Sequence, residues 1–114
     1  MSTRCNIEVN DKDEKKYECM IYVHCDGYPE GILPFLEDFT KKFYKDRKDD
    51  CEYFLAQYLI QRAIADYKEK KDYDYVSPEN KYTGYGVCTK CHGDIEFLYT
   101  VHLKNGSVTY EEKK

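Results

Sequence analysis

Residues 95–110, IEFLYTVHLKNGSVTY, set the fold class. Ile95, Phe97, Tyr99, Val101 and Leu103 occupy alternate positions, and Val108 and Tyr110 resume the pattern after Asn105-Gly106. Period-2 alternation marks a strand with one face against a core. Asn-Gly between two such runs is the signal of a two-residue type I′ turn, because both residues accept positive φ. Pairing across that turn sets Leu103 opposite Val108 and Val101 opposite Tyr110, all on one face, which makes the register self-consistent.

Toward the N-terminus the chain carries a second hairpin. Cys5, Ile7 and Val9 alternate with Arg4, Asn6 and Glu8; Asn10 to Lys16 reads as a polar loop; Tyr17 to His24 then alternates again. In that second run Cys19, Ile21 and Val23 share one face, while Met20, Tyr22 and His24 share the other. After the breaker cluster Cys25-Asp26-Gly27-Tyr28-Pro29-Glu30-Gly31, residues Ile32, Phe35, Leu36, Phe39 and Phe43 fall at helical spacing, with Pro34 in the first turn. A second helix starts at Asp49 or Asp50, and its predicted core stripe is Leu55, Ala56, Leu59, Ile60, Ala63, Ile64 and Tyr67. Residues 68–82, charged and tyrosine-rich, read as a long loop, and Gly84 to Cys88 as a further strand. The order ββ-αα-βββ predicts an α+β fold: an antiparallel sheet of about five strands with both helices on one face, in a single domain spanning residues 1–114.

Composition sets limits on function. At 114 residues the chain has room for one modest core. Its 13 tyrosines, against 5 phenylalanines and no tryptophan, suit half-buried positions and binding surfaces. A net charge of −4 with interspersed signs argues against nucleic-acid binding, which needs a basic face. No apolar run is long enough for a membrane span, and Met1 to Asn6 lacks the apolar stretch of a signal peptide, so the expected location is cytoplasmic. In a reducing cytosol the six cysteines are expected to be free thiols.

Two patterns bear on chemistry. Cys88-Thr89-Lys90-Cys91-His92 has the spacing of a c-type haem attachment motif and of half a zinc site. Haem attachment belongs outside the cytosol, and a tetrahedral zinc needs two more ligands, so Cys88 and Cys91 are weak metal candidates and no cofactor is expected. His24-Cys25-Asp26-Gly27 and His92-Gly93-Asp94 each place an imidazole two residues from a carboxylate beside a glycine turn. If these segments meet, His24, Asp26, His92, Asp94 and Glu96 form a polar cluster suited to binding, to acid–base work or to a divalent metal. The same aspartates also suit simple turn capping. Recognised nucleophile, phosphate-loop and zinc-protease motifs do not occur in the sequence.

Ser2-Thr3-Arg4-Cys5-Asn6-Ile7, Ile21-Tyr22-Val23-His24-Cys25-Asp26-Gly27-Tyr28-Pro29-Glu30-Gly31 and His92-Gly93-Asp94-Ile95-Glu96 together resemble a set of small uncharacterised phage and prophage proteins. Those proteins share T-R-x-x-I, I-Y-x-H-x-D-G-Y-P and H-G-D-I-E segments, and the C-x-x-C is not part of their pattern. The resemblance implies a phage-encoded protein of the bacterial cytoplasm and carries over no catalytic residues. By analogy of setting, it suggests a counter-defence factor that sequesters a small nucleotide-like ligand or blocks a host protein.

The leading expectation is therefore a non-enzymatic, homo-oligomeric binding protein. Its predicted site is a rim of Arg4, Asn6, His24, Asp26, Tyr28, His92, Asp94 and Glu96, which takes either a small anionic ligand or a host defence protein. The alternatives are a metal-dependent hydrolase or lyase on His24, Asp26, His92 and Asp94, and a structural or assembly protein.

Overall fold

The computed structural model describes residues 3–47, 50–69 and 84–113. Along the chain run β1 (Cys5–Asn10), β2 (Met20–Val23), α1 (Pro29–Arg47), α2 (Cys51–Lys68), β3 (Tyr85–Cys88), β4 (Phe97–His102) and β5 (Ser107–Glu112). The strands form one sheet in the order β3-β2-β1-β4-β5. β1–β2, β2–β3 and β4–β5 are antiparallel, and the middle pair, β1–β4, is parallel. The fold is α+β with a mostly antiparallel five-stranded sheet and its helices on one face, as expected. From residue 70 onward, the stretch read as a loop over 68–82 lies outside the described residues.

Alternation puts Cys5, Ile7, Val9, Ile21, Val23, Tyr99 and Val101 under the helices, where all are buried. α1 contributes Ile32, Leu36 and Phe43 to this core, and α2 contributes Phe54, Leu55 and Tyr58. The two helices meet through aromatic edges: Phe43 and Phe54 at 5.2 Å and 87°, and Phe39 and Phe54 at 5.3 Å and 72°. That is the edge-to-face geometry that ring quadrupoles favour. Asp50 caps α2, accepting the Tyr53 N–H at 3.3 Å. α1 begins at Pro29, earlier than the sequence suggests, so Pro34 lies inside the helix rather than in its first turn.

Two further expectations are corrected. The last hairpin pairs Val101 with Val108 and Tyr99 with Tyr110, a register two residues away from the predicted one. Leu103 is drawn into the core (1% exposed) instead of pairing across the turn, so residues 103–106 form the connection and only Gly106 takes positive φ (+76°). The shift is even, so every side chain keeps its face. In α2 the buried residues are Cys51, Phe54, Leu55, Tyr58, Arg62 and Asp66, while Ala56, Ile60, Ile64 and Tyr67 from the predicted core stripe are exposed. This helix is apolar on two sides, and the side bearing Phe54, Leu55 and Tyr58 docks on the sheet.

Among the described residues, no two cysteines form a disulfide. Among the same residues, no helix is long and apolar enough to cross a membrane.

Candidate functional site

The sheet face away from the helices is largely polar, presenting Asn6, Glu8, Tyr22, Thr100 and His102 from alternate positions of β1, β2 and β4, with Met20 and Leu98 buried on the same face. Between β3 at one edge and β4, the chain passes β2 and β1 through residues 89–96, and this segment packs onto that polar face. Asn6, fully buried, fastens it there. Its Oδ1 accepts the His92 N–H at 3.0 Å, and its Nδ2 donates to the Ile21 carbonyl and to Cys88 Sγ, both at 3.2 Å. One side-chain amide thus satisfies groups from β1's neighbour strand and from the crossing segment, which buried polar atoms require.

With residues 89–96 held in place, the His92 ring stacks on Tyr22 at 4.1 Å and 14°. Tyr22 Oη and His24 Nδ1 share a hydrogen bond at 3.1 Å. Arg4 Nε pairs with Asp94 Oδ2 at 3.5 Å. The Glu96 N–H donates to the Arg4 carbonyl at 2.9 Å, extending the β1–β4 ladder by one residue. Partial burial raises the Tyr22 pKa, the Asp94 carboxylate raises it further, and Arg4 acts in the opposite direction. Tyr22 therefore stays a neutral hydrogen-bonding phenol between a cation and an anion.

Arg4, Asn6, His24, His92 and Asp94 of the predicted rim thus gather around Tyr22. The other three predicted residues are placed differently. Asp26, at φ +59°, lines a small cavity of about 10 Å³ with Val23, Cys25, Ile32, Arg62, Asp66 and Tyr85. Tyr28 sits at the start of α1, 39% exposed, and its carbonyl accepts the Gly31 and Ile32 N–H groups. Glu96 takes part through its backbone, while its side chain points to solvent. Sequence reasoning omits Tyr22, the centre of the cluster. The signal for it is strand parity, which Tyr22 shares with His24.

The thiols of the C-x-x-C lie on the same face but do not make a reactive pair. Burial raises the Cys88 pKa, with the Asn6 hydrogen bond acting against it, so the thiol is kept protonated. Cys91 Sγ contacts Met20 Sδ at 3.9 Å. Among the described residues, no group of three or more His, Cys, Asp or Glu side chains is arranged to hold a metal ion.

A second polar cluster, which the sequence does not reveal, lies buried where β3 meets α2. Arg62 Nε donates to Asp66 Oδ1 at 3.2 Å and to Tyr85 Oη at 3.3 Å, and Arg62 Nη2 donates to the Gly31 carbonyl at 3.0 Å. The Tyr85 hydroxyl donates to Asp66 Oδ2, and the guanidinium lies 5.2 Å from the Phe35 ring centre. This network ties α1, α2 and the edge strand together. Its charges are paired and buried, so we read it as structural. On the helical side, a groove of about 370 Å³ is lined by Phe35, Phe39 and Phe43, with Asp38, Lys42, Asp46, Gln57 and Gln61 around them.

Compared with protein families, curated proteins and solved structures, the chain matches none.

Proposed function

We propose that this chain is a non-enzymatic binding protein that recognises a protein partner through the patch around Tyr22. The observation that carries this reading is the stacked Tyr22–His92 pair, flanked by His24 and by the Arg4–Asp94 ion pair. Three separate segments supply these groups, and the buried Asn6 side chain holds them in place before any partner arrives. Tyrosine and arginine are the residue types that dominate binding hot spots, and preorganisation reduces the entropy lost on binding.

Arg4 already faces a carboxylate, so a small anion would have to displace Asp94; this weighs against the small-ligand version. The metal-dependent hydrolase or lyase reading needs Asp26 beside both imidazoles, whereas Asp26 lines the cavity near Arg62 and Asp66. The resemblance to phage and prophage proteins makes a host defence protein in the bacterial cytoplasm the proposed partner.

The test is affinity capture from phage-infected bacterial lysate, with wild type and an Arg4→Ala/His92→Ala variant compared by quantitative mass spectrometry. A host protein enriched by wild type and lost by the folded variant supports the reading. Equal capture by both would overturn the patch as the binding surface. A small organic mass in native spectra, lost on denaturation, would shift the conclusion to ligand sequestration.

A further inference from the structure

Three sulfur atoms converge where β2 meets β3. The antiparallel register sets Met20 directly opposite Cys88, so the two side chains share the sheet face away from the helices. Residues so opposed hold their Cβ atoms about 5 Å apart. The Cys88 thiol donates to the Met20 carbonyl at 3.8 Å. The C-x-x-C turn then carries the chain back over β2, where Cys91 Sγ meets Met20 Sδ at 3.9 Å. Cys88 and Cys91 also interact electrostatically.

The surroundings suit bound thiolate. Asn6 Nδ2 donates to Cys88 Sγ at 3.2 Å, and the Lys90 backbone N–H donates to the same atom. Both donors favour charged sulfur. Asn6 is itself fixed by the Ile21 carbonyl and the His92 N–H, so it orients Cys88 as outer hydrogen-bond partners orient metal ligands. Met20 is fully buried and Cys91 is exposed, which makes Met20 the floor of the site and Cys91 its open side.

Ligand type selects the ion. Structural zinc takes four ligands from cysteine, histidine and carboxylates. Among the described residues no group of three such side chains is arranged to hold it. A thioether beside two thiols is instead a soft donor set, which favours monovalent copper. Three sulfurs in a trigonal plane, each about 2.3 Å from the metal, stand about 4 Å apart. Cys91 and Met20 already have that separation.

We propose that Cys88, Cys91 and Met20 form a binding site for Cu(I). Two copper–thiolate bonds form as two S–H protons pass to solvent, and the Met20 sulfur adds a lone pair; no atom changes oxidation state. This inference does not depend on the partner-binding reading, because its test reads metal alone.

Anaerobic titration of the reduced full chain with Cu(I), in competition with the chromogenic chelator bicinchoninate, measures the site. The expected result is one Cu(I) withdrawn from the chelator per chain. Cys88→Ser/Cys91→Ser should weaken binding by at least about a hundredfold. Met20→Leu, which conserves volume, should weaken it by about tenfold. Both variants should keep the wild-type circular dichroism. Cys19→Ser/Cys25→Ser should bind as wild type does, which separates this site from the other partly buried thiols. In selenomethionine-substituted protein, copper X-ray absorption should show a selenium neighbour that Met20→Leu removes. Failure of wild type to withdraw copper overturns the proposal, and so does unchanged binding by the folded double-serine variant. A missing selenium neighbour overturns the part given to Met20. Zinc that holds the site against equimolar Cu(I) overturns the choice of ion.

Discussion

The two faces of the sheet are built from the same three strands to opposite ends. Under the helices, Cys5, Ile7, Val9, Ile21, Val23, Tyr99 and Val101 form a dry layer closed by rings from α1 and α2. On the other face, one residue along each strand, Asn6 and Tyr22 meet a crossing segment held by a hydrogen bond and a ring stack, and Thr100 donates to Glu8. The first face owes its stability to area removed from water. The second depends on a few directional contacts, which makes it specific in shape and less costly to alter. Stability is concentrated on one side of β1 and the proposed recognition on the other, and the period-2 pleat is what separates them.

Substitutions along β1 test this division. Ile7→Ala, on the helical face, removes a fully buried side chain from a packed layer and should cost about 2–5 kcal/mol in urea unfolding. A much smaller loss would mean that the core closes up over the gap. Next in size is Asn6→Leu on the opposite face. It deprives the His92 N–H and the Ile21 carbonyl of their side-chain partner and should cost about 1–3 kcal/mol. Hydrogen exchange at His92 should accelerate more than exchange in the core of β1, because the crossing segment loses its fastening. Uniform acceleration would show that the two faces are not separable.

The core face also carries a pH signature. Burial raises the pKa of Cys5 from its ordinary 9.0 and those of Tyr58, Tyr85 and Tyr99 from 10.0. Each group holds its proton more tightly folded than unfolded. Its contribution to stability is therefore complete below those ordinary values and is lost as pH rises beyond them. Stability should be flat in these groups up to about pH 8 and fall progressively above about pH 9, first through Cys5 and then through the tyrosines. Cys5→Ala should lessen the fall at the lower end of that range, and a denaturation series at several pH values checks this. The smallest expected effect is Thr40→Val in α1. The buried Thr40 hydroxyl finds no hydrogen-bond partner among the described residues, so an apolar isostere should be neutral or stabilise by up to about 1 kcal/mol. A clear loss would show that the hydroxyl has a partner.

How much of this is legible beforehand follows from what local sequence encodes. Strand parity is readable, because alternation of Cys5, Ile7 and Val9 is a local pattern. Parity alone does not fix the last register, since an even slip leaves all faces unchanged and only the pull of Leu103 into the core decides it. The parallel pairing of β1 with β4 joins residues on either side of both helices, and nothing local announces it. In α2 two apolar stripes compete, and periodicity cannot choose between Phe54–Tyr58 and Ile60–Ile64. The sheet settles the choice by taking the side with Phe54, Leu55 and Tyr58, together with the Arg62–Asp66 pair that reads as surface charge. The rim around Arg4, Asn6 and His92 is partly visible because its residues lie at strand ends beside glycines. Its centre, Tyr22, is one tyrosine among thirteen, and its sequence neighbours do not set it apart.

If the polar face binds and the helical face stabilises, the two properties should part company in a single variant. His24→Ala/His92→Ala removes two exposed imidazoles from the patch, and both its urea midpoint and its capture of the partner can be measured. The expected result is a urea midpoint lowered only slightly, far less than by Ile7→Ala, together with loss of the captured partner. Full capture by a stably folded variant would contradict the division between the faces.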